Sequence, residues 1–403
     1  MKDAQSLFRL EAPIRKYAWG SRESLARIRG AAFPTTEPEA ELWIGAHASD
    51  PARVPNLGPL NELIAAEPDR FLGERTNQKF GAHLPFLLKL LAVDKPLSLQ
   101  VHPTKEQARL GFADENEAGI SINSPDRTFV DENHKPELVV AVSDFRALVG
   151  FRKVEEITRL VEEFVAHGAS TLATRILAPL RRAPNARGLR GVLKGLIGQP
   201  DDAAFVAQTV QAALRVSRGT GEFAATARWL IDIAHSYPVR PDVVVMLLLN
   251  LFQLSPGEAV YVAPGQVHAY LDGLAIEIMA SSDNVLRGGL TAKHVDVPAF
   301  LALIDCAPGS FPRFEGVVNG PTTSWTPPID DFLLMRIECG AGSEALEAVT
   351  PLVLFAISNS ATISRGSEIL ELRQGESAFV APGSPIVLTG NATLWCASCR
   401  IGE

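Results

Sequence analysis

Apolar and polar positions change rhythm twice along the chain. Up to about Gly150 the apolar residues come in short runs, among them LPFLLKLLAV (84–93), PLSLQVHP (96–103) and PELVVAV (136–142), with Gly, Pro and Asp between them. Such runs predict strands separated by turns. From about Lys153 to Gln253 the spacing lengthens. In KVEEITRLVEEFVAHGA (153–169), Val154, Ile157, Leu160, Val161, Phe164 and Val165 recur every three or four residues, which predicts an amphipathic helix. AAFVAQTVQAALRV (203–216) and FAATARWLIDIAHSY (223–237) behave in the same way, with the Arg- and Gly-rich APNARGLRG (183–191) as a loop between helices. After Pro256 the strand-and-turn pattern returns and continues to the end.

This last zone holds an internal repeat. LSPGEAVYVAPGQVHAYLDG starts at Leu254 and LRQGESAFVAPGSPIVLTG at Leu372, and both fit L-x-x-G-E-x-x-x-V-A-P-G followed by an apolar strand and a glycine. The Gly and Pro positions suit β-turns between short antiparallel strands. Repeated short strands at this spacing predict the double-sheet jelly roll of cupins. The expected fold is therefore mainly β: two cupin-type jelly-roll β domains with an inserted α-helical domain. Residues 1–152 and 253–310 would form the catalytic jelly roll, 153–252 the helical insert and 311–403 a degenerate second jelly roll. The degeneracy is read at one position: three residues after the shared Gly, the first copy has His268 and the second Ile386.

The chain is 403 residues long with a formal net charge of -8, which argues against a broad nucleic-acid or anionic-membrane surface. An anionic ligand would need a local cluster of bases. The N-terminal stretch has scattered charges and no long apolar run, so no signal peptide is expected. The apolar run VVVMLLL (243–249) is too short to span a bilayer. Four late cysteines, including the C-x-x-C of Cys396 and Cys399, predict a reducing compartment, packed thiols and no disulfide framework. A cytoplasmic monomer is the expectation.

Three segments carry metal-capable side chains. In SLQVHP (98–103), Gln100 and His102 alternate with Leu99 and Val101, so on a strand both polar residues face one way. DENHKPE (131–137) is a dense polar run directly before the apolar LVVAV, and His268-Ala269-Tyr270 follows the A-P-G turn. Each alone is a weak signal. In order, however, YAWG (17–20), AELWIGAH (40–47), PFLLKLL (85–91), LSLQVHP (97–103), DENHKPEL (131–138), APGQVHAYLDG (263–273) and NVLRGGLTAKHVDV (284–297) resemble the type I mannose-6-phosphate isomerases.

The resemblance implies one Zn²⁺ held by Gln100, His102, Glu137 and His268. A single anionic ligand among these donors leaves the site positive, which favours Lewis acidity toward a sugar oxygen. Around the metal the resemblance places Lys89, Ser98, Lys135, Tyr270, Glu277, Asp283, Arg287 and Lys293. The reaction it implies is aldose–ketose isomerisation between mannose 6-phosphate and fructose 6-phosphate through a cis-enediol(ate). Arg287 and Lys135 would stabilise the oxyanion beside the metal, and Glu277, inside the apolar LAIEIMA, would move the proton between C1 and C2. His134 and Lys135 would help open the ring. Lys89, Ser98, Tyr270, Asp283 and Lys293 would bind the hexose phosphate. Two rival classes are a cupin metal-dependent oxygenase, which would gather more His around a redox metal, and a non-catalytic sugar-binding cupin, which would lack ligand or pocket residues.

Overall fold

The computed structural model describes residues 5–124, 126–291, 295–340 and 342–402. It is mainly sheet with a helical portion. One sheet of ten strands curls around the polar segments singled out above. Along one path its order is Leu249–Leu254, Phe145–Phe151, His268–Ala280, Phe86–Val93, Glu41–Gly45, Ile14–Arg15. Leu99–Val101 lies between His268 and Leu286–Gly289, and Glu137–Ala141 joins the far half of His268–Ala280 to Ala259–Val262.

The curl is centred on His268–Ala280. Its first residues pair with Phe145–Phe151 and, at His268, with Gln100, whereas Gly273–Ala280 pairs with Phe86–Val93 and Glu137–Ala141. Between the halves the register shifts at Tyr270/Asp272. Gly273 completes the bend at φ 114°, with a hypothetical Cβ only 2.3 Å from the Asp144 carbonyl oxygen, so a larger residue fits neither the conformation nor the space.

Strand alternation assigns each side chain to a face. Leu99, Val101, Leu148, Ala269, Leu271 and Leu286 point outward into a core shared with the helices, among them Val154–Ala166, Ala203–Val216 and Ala224–Ser236. Leu42, Ile44, Leu88, Leu90, Leu138, Ile276 and Ile278 point outward into a second core, against Leu334, Val353, Phe355, Phe379 and Trp395 of a seven-stranded sheet. That sheet packs its other face on the four-stranded sheet Ser343–Leu346, Ile386–Gly390, Ser360–Arg365, Glu368–Arg373. Both outer faces of the curled sheet are thus covered, and the polar residues are left inside the curl.

The expected helices form at 154–166, 203–216 and 224–236. Two local expectations fail. APNARGLRG is largely helical from Ala186, because the Asn185 side chain caps the Arg187 amide while Leu189, Val192 and Leu193 bury one side. The N-terminal zone is not all strand and turn: it contains the helix Lys105–Glu117, started by a Thr104/Gln107 capping box. In addition, Leu7–Leu10 pairs with Ser377–Val380, so the chain's first described strand lies at the edge of the C-terminal sheet. Cys306, Cys339, Cys396 and Cys399 are free and buried. No helix among the described residues is long and apolar enough to cross a membrane.

Both repeat copies fold as strand, turn, strand, turn, strand, and His268 and Ile386 each open the third strand. His268 faces polar groups; Ile386 is fully buried among Leu372, Leu388, Ile363 and their neighbours. Ile386→His should therefore lower the thermal midpoint, since an unpaired buried imidazole N–H costs about 1–3 kcal/mol. An unchanged midpoint in a thermal melt would show that the second copy retains a polar pocket.

Candidate functional site

Inside the curl, register brings the polar residues into rows. His268 is opposite Gln100, and Gln100 is opposite Arg287, so three strands present these side chains side by side. His102 follows Gln100 by two residues on the same side. In a second row Trp43, Lys89 and Glu277 are consecutive partners. Glu137, at the start of its strand, closes the gap between the rows.

His102, Glu137 and His268 are buried, with one donor atom from each lying within 4.8 Å of the others. The Nδ1–H of His102 donates to the Asn284 carbonyl oxygen at 2.7 Å, and that of His268 to the Gln266 carbonyl oxygen at 3.1 Å. A carbonyl only accepts, so both Nδ1 atoms carry a proton, and in the neutral imidazole that leaves the lone pair on Nε2. Those lone pairs face Glu137, with His102 Nε2 at 3.1 Å from Oε1 and His268 Nε2 at 3.4 Å from Oε2. Burial pushes His102 down to about 4, so it is neutral near pH 7, and its Nε2 has no hydrogen-bond partner. Lone pairs and carboxylate oxygens at this range repel unless a cation lies among them. The donor set of two imidazoles, one carboxylate and the neighbouring Gln100 amide fits a divalent metal such as zinc.

The surrounding charges lead to the same conclusion. Glu41, Glu137 and Glu277 are buried with Lys89 and Lys135, three carboxylates against two ammoniums. Burial alone would raise the Glu137 carboxyl, yet the net direction is well below the usual carboxylate range, with the Lys135 ammonium as the positive charge beside it. Lys135 Nζ lies 3.5 Å from Glu137 Oε1, and Tyr270 donates its hydroxyl to Oε2 at 2.9 Å. Burial and the charges of Glu137 and Glu277 push the Tyr270 phenol well up, so it stays a donor.

Lys89 Nζ is 3.0 Å from Glu277 Oε2 and 4.0 Å from Glu41 Oε2, and lies 5.1 Å from the Trp43 ring centroid. Burial would lower Lys89, yet these carboxylates raise it and keep it an ammonium. Glu277 is pulled both ways. Burial raises it, Lys89 and Lys135 lower it, Glu137 and Glu41 raise it again, and the net direction is up. A carboxylate poised above its ordinary range is suited to taking up and returning a proton.

Arg287 is half-buried, lowered by burial, and makes no hydrogen bond or ion pair among the described residues. It is a desolvated cation in want of an anion. Ser98 is half-buried two residues before Gln100. Asp283 lies at the exposed rim, where its carboxylate accepts from Ser49 Oγ at 2.8 Å and lies 3.8 Å from His47 Nε2. His134 turns toward the C-terminal part of the chain, its Nε2 3.0 Å from Asp331 Oδ1. Lys293 lies outside the described residues.

Several contributors went unassigned in the sequence. Asn284, fully buried, donates through its side-chain amide to the Asp131 and Asn133 carbonyl oxygens and accepts from the Val130 amide, while its own carbonyl orients His102. It ties the loop before Lys135 to the candidate metal centre. Glu41, Trp43 and His47 belong to the quoted AELWIGAH stretch, whose alternation was the available signal. Beside the site is a cleft of about 1240 Å³ with His47, Ser49, Asp131, Asn133 and Asp283 in its walls.

Comparison with known proteins agrees with this arrangement. Residues 7–154 match the family model described as phosphomannose isomerase type I, catalytic domain. The mannose-6-phosphate isomerase of Escherichia coli K12 is 36% identical over 94% of this chain and 96% of its own length. The human mannose-6-phosphate isomerase is 29% identical, with 96% of each chain covered. The crystal structure of the Salmonella typhimurium mannose 6-phosphate isomerase bound to its substrate, fructose 6-phosphate, and to zinc superposes with a TM-score of 0.87 at 32% identity, covering 98% of this chain and all of that one. Sequence, fold and site together make this chain a member of the type I phosphomannose isomerase family.

Proposed function

We propose that this chain interconverts mannose 6-phosphate and fructose 6-phosphate at a single zinc site, with Gln100, His102, Glu137 and His268 as its ligands. The observation that carries the reading is the pair of Nδ1-fixed imidazoles aimed at Glu137, on the same inner face as the buried Lys89–Glu277 pair. When bound, the zinc supplies positive charge for a sugar oxygen that becomes an oxyanion.

The chain's own residues do the rest. Glu277 takes the proton from C2 of the open-chain aldose and returns it to C1, and the reverse reaction runs the same transfer backwards. Lys89 fixes the Glu277 carboxylate, and Tyr270, its hydroxyl donated to Glu137, lines the substrate side of the pocket. Arg287, a cation without a partner among the described residues, faces the charge that develops on O1 and O2 of the enediolate. Lys135 and the Asp331-oriented His134 serve ring opening. Ser98, Asp283 and Lys293 bind the hexose phosphate, with Lys293 and Arg287 as the cations available to its anionic end. The reading also entails two cupin-type jelly rolls, 1–152 with 253–310 and 311–403, joined by the helical insert 153–252, in a cytoplasmic monomer.

Chelation should abolish turnover of mannose 6-phosphate, and one equivalent of zinc should restore it. His268→Ala should bind less than the full equivalent by elemental analysis. Because protons compete for the His102 Nε2 only as pH approaches about 4, metal should be retained on dialysis at pH 7 and released as pH falls toward that value. Chelated protein with undiminished turnover would defeat the metal role.

Glu277→Gln keeps the shape and removes the base, so kcat should fall by ~10²–10⁴-fold with zinc content unchanged. Normal turnover in that variant would transfer proton transfer to another residue.

A further inference from the structure

The helical portion touches the strand that carries Arg287 through a polar contact that the reaction scheme does not use. Arg240 and Asp242 lie where the helices give way to the apolar run before Leu249. Asp242 is buried, and Arg240 donates to its Oδ2 through both Nε, at 3.0 Å, and Nη2. The same guanidinium donates from Nη1 to the Thr291 carbonyl oxygen at 2.6 Å. Burial pushes the Asp242 carboxyl above its ordinary range, and the Arg240 guanidinium beside it opposes that rise.

The backbone held in this way is an unusual one. Leu290 has φ 53°, in the left-handed region that a branched apolar residue rarely adopts, and it is buried. Gly289 precedes it at φ 143°, so close to Asp242 that a Cβ would lie 2.8 Å from Oδ2. The pairing of this strand with Leu99–Val101 shifts register between Arg287 and Gly289, which makes a bulge. Bulges re-aim the side chains next to them. The side chain next to this one is Arg287.

We infer that Arg240 and Asp242 are positioning residues: by holding Thr291 and packing against Gly289, they fix the strained turn at Leu290 that sets the bulge and aims Arg287 into the site. The helical insert thereby takes part in the reaction through the geometry of one cation. The inference rests on the proposed role of Arg287 in the isomerase reaction.

A double-mutant cycle on the zinc-loaded protein tests it. Asp242→Asn should lower kcat/KM by roughly 10- to 100-fold, mainly in kcat, with zinc content unchanged. In an Arg287→Ala background the same change should cost less than about twofold, because the group it acts through is already gone. A merely structural role would give losses that multiply. If Asp242→Asn does not fold, Arg240→Ala enters the same cycle. Wild-type turnover within about twofold in the single variant, or multiplicative losses, overturns the inference. If the wild-type protein fails to turn over either hexose phosphate, the functional reading falls separately. Hydrogen exchange then decides the clamp: faster exchange across 288–291 in the variant supports it, and unchanged exchange overturns it.

Discussion

A carboxylate at 3% exposure must have its charge compensated, and the site is organised around meeting that demand at Glu137. Lys135 and Tyr270 meet part of it. Two imidazoles face the remaining oxygen lone pairs, and in neutral form, with the proton held on the far nitrogen, an imidazole adds a lone pair rather than charge. Only a cation among the three groups satisfies all of them at once. The candidate metal centre thus depends on which nitrogen of each histidine is protonated, and two backbone carbonyls fix that.

Those carbonyls are in place because the curled sheet is gripped from outside. Each strand that sends a polar residue inward sends its apolar neighbours outward, one half against the helices and the other half against the seven-stranded sheet. The shift of register at Tyr270 and the bend at Gly273 let one long strand serve both halves. This explains how His268 and Glu277, nine positions apart on that strand, belong to the same pocket. Covering the outer faces with apolar packing also keeps water away from the inner charges, which strengthens their coupling and keeps Glu277 above its ordinary range.

Much of this was legible in the sequence wherever the signal was local. The two-residue alternation of Gln100 and His102 gave a shared face, and the divergence of the repeat at His268 and Ile386 separated a polar copy from an apolar one. Features that depend on distant partners were not legible. The helix Lys105–Glu117 buries only Ala108, so it leaves no apolar stripe to read, although its Thr104/Gln107 capping pair was there to see. Leu7–Leu10 reads as a strand of the first zone, and only its pairing with Ser377–Val380 assigns it to the other end of the chain. The work of Asn284 likewise requires the loop at 130–133 to fold back against it.

X-ray absorption at the zinc edge of the metal-loaded protein reads the donors around the ion. Zinc shared by Gln100, His102, Glu137 and His268 should give a shell of nitrogen and oxygen donors only, at about 2.0–2.2 Å, with the multiple scattering of two imidazoles. A sulfur shell near about 2.3 Å, or a spectrum without imidazole scattering, would contradict that ligand set.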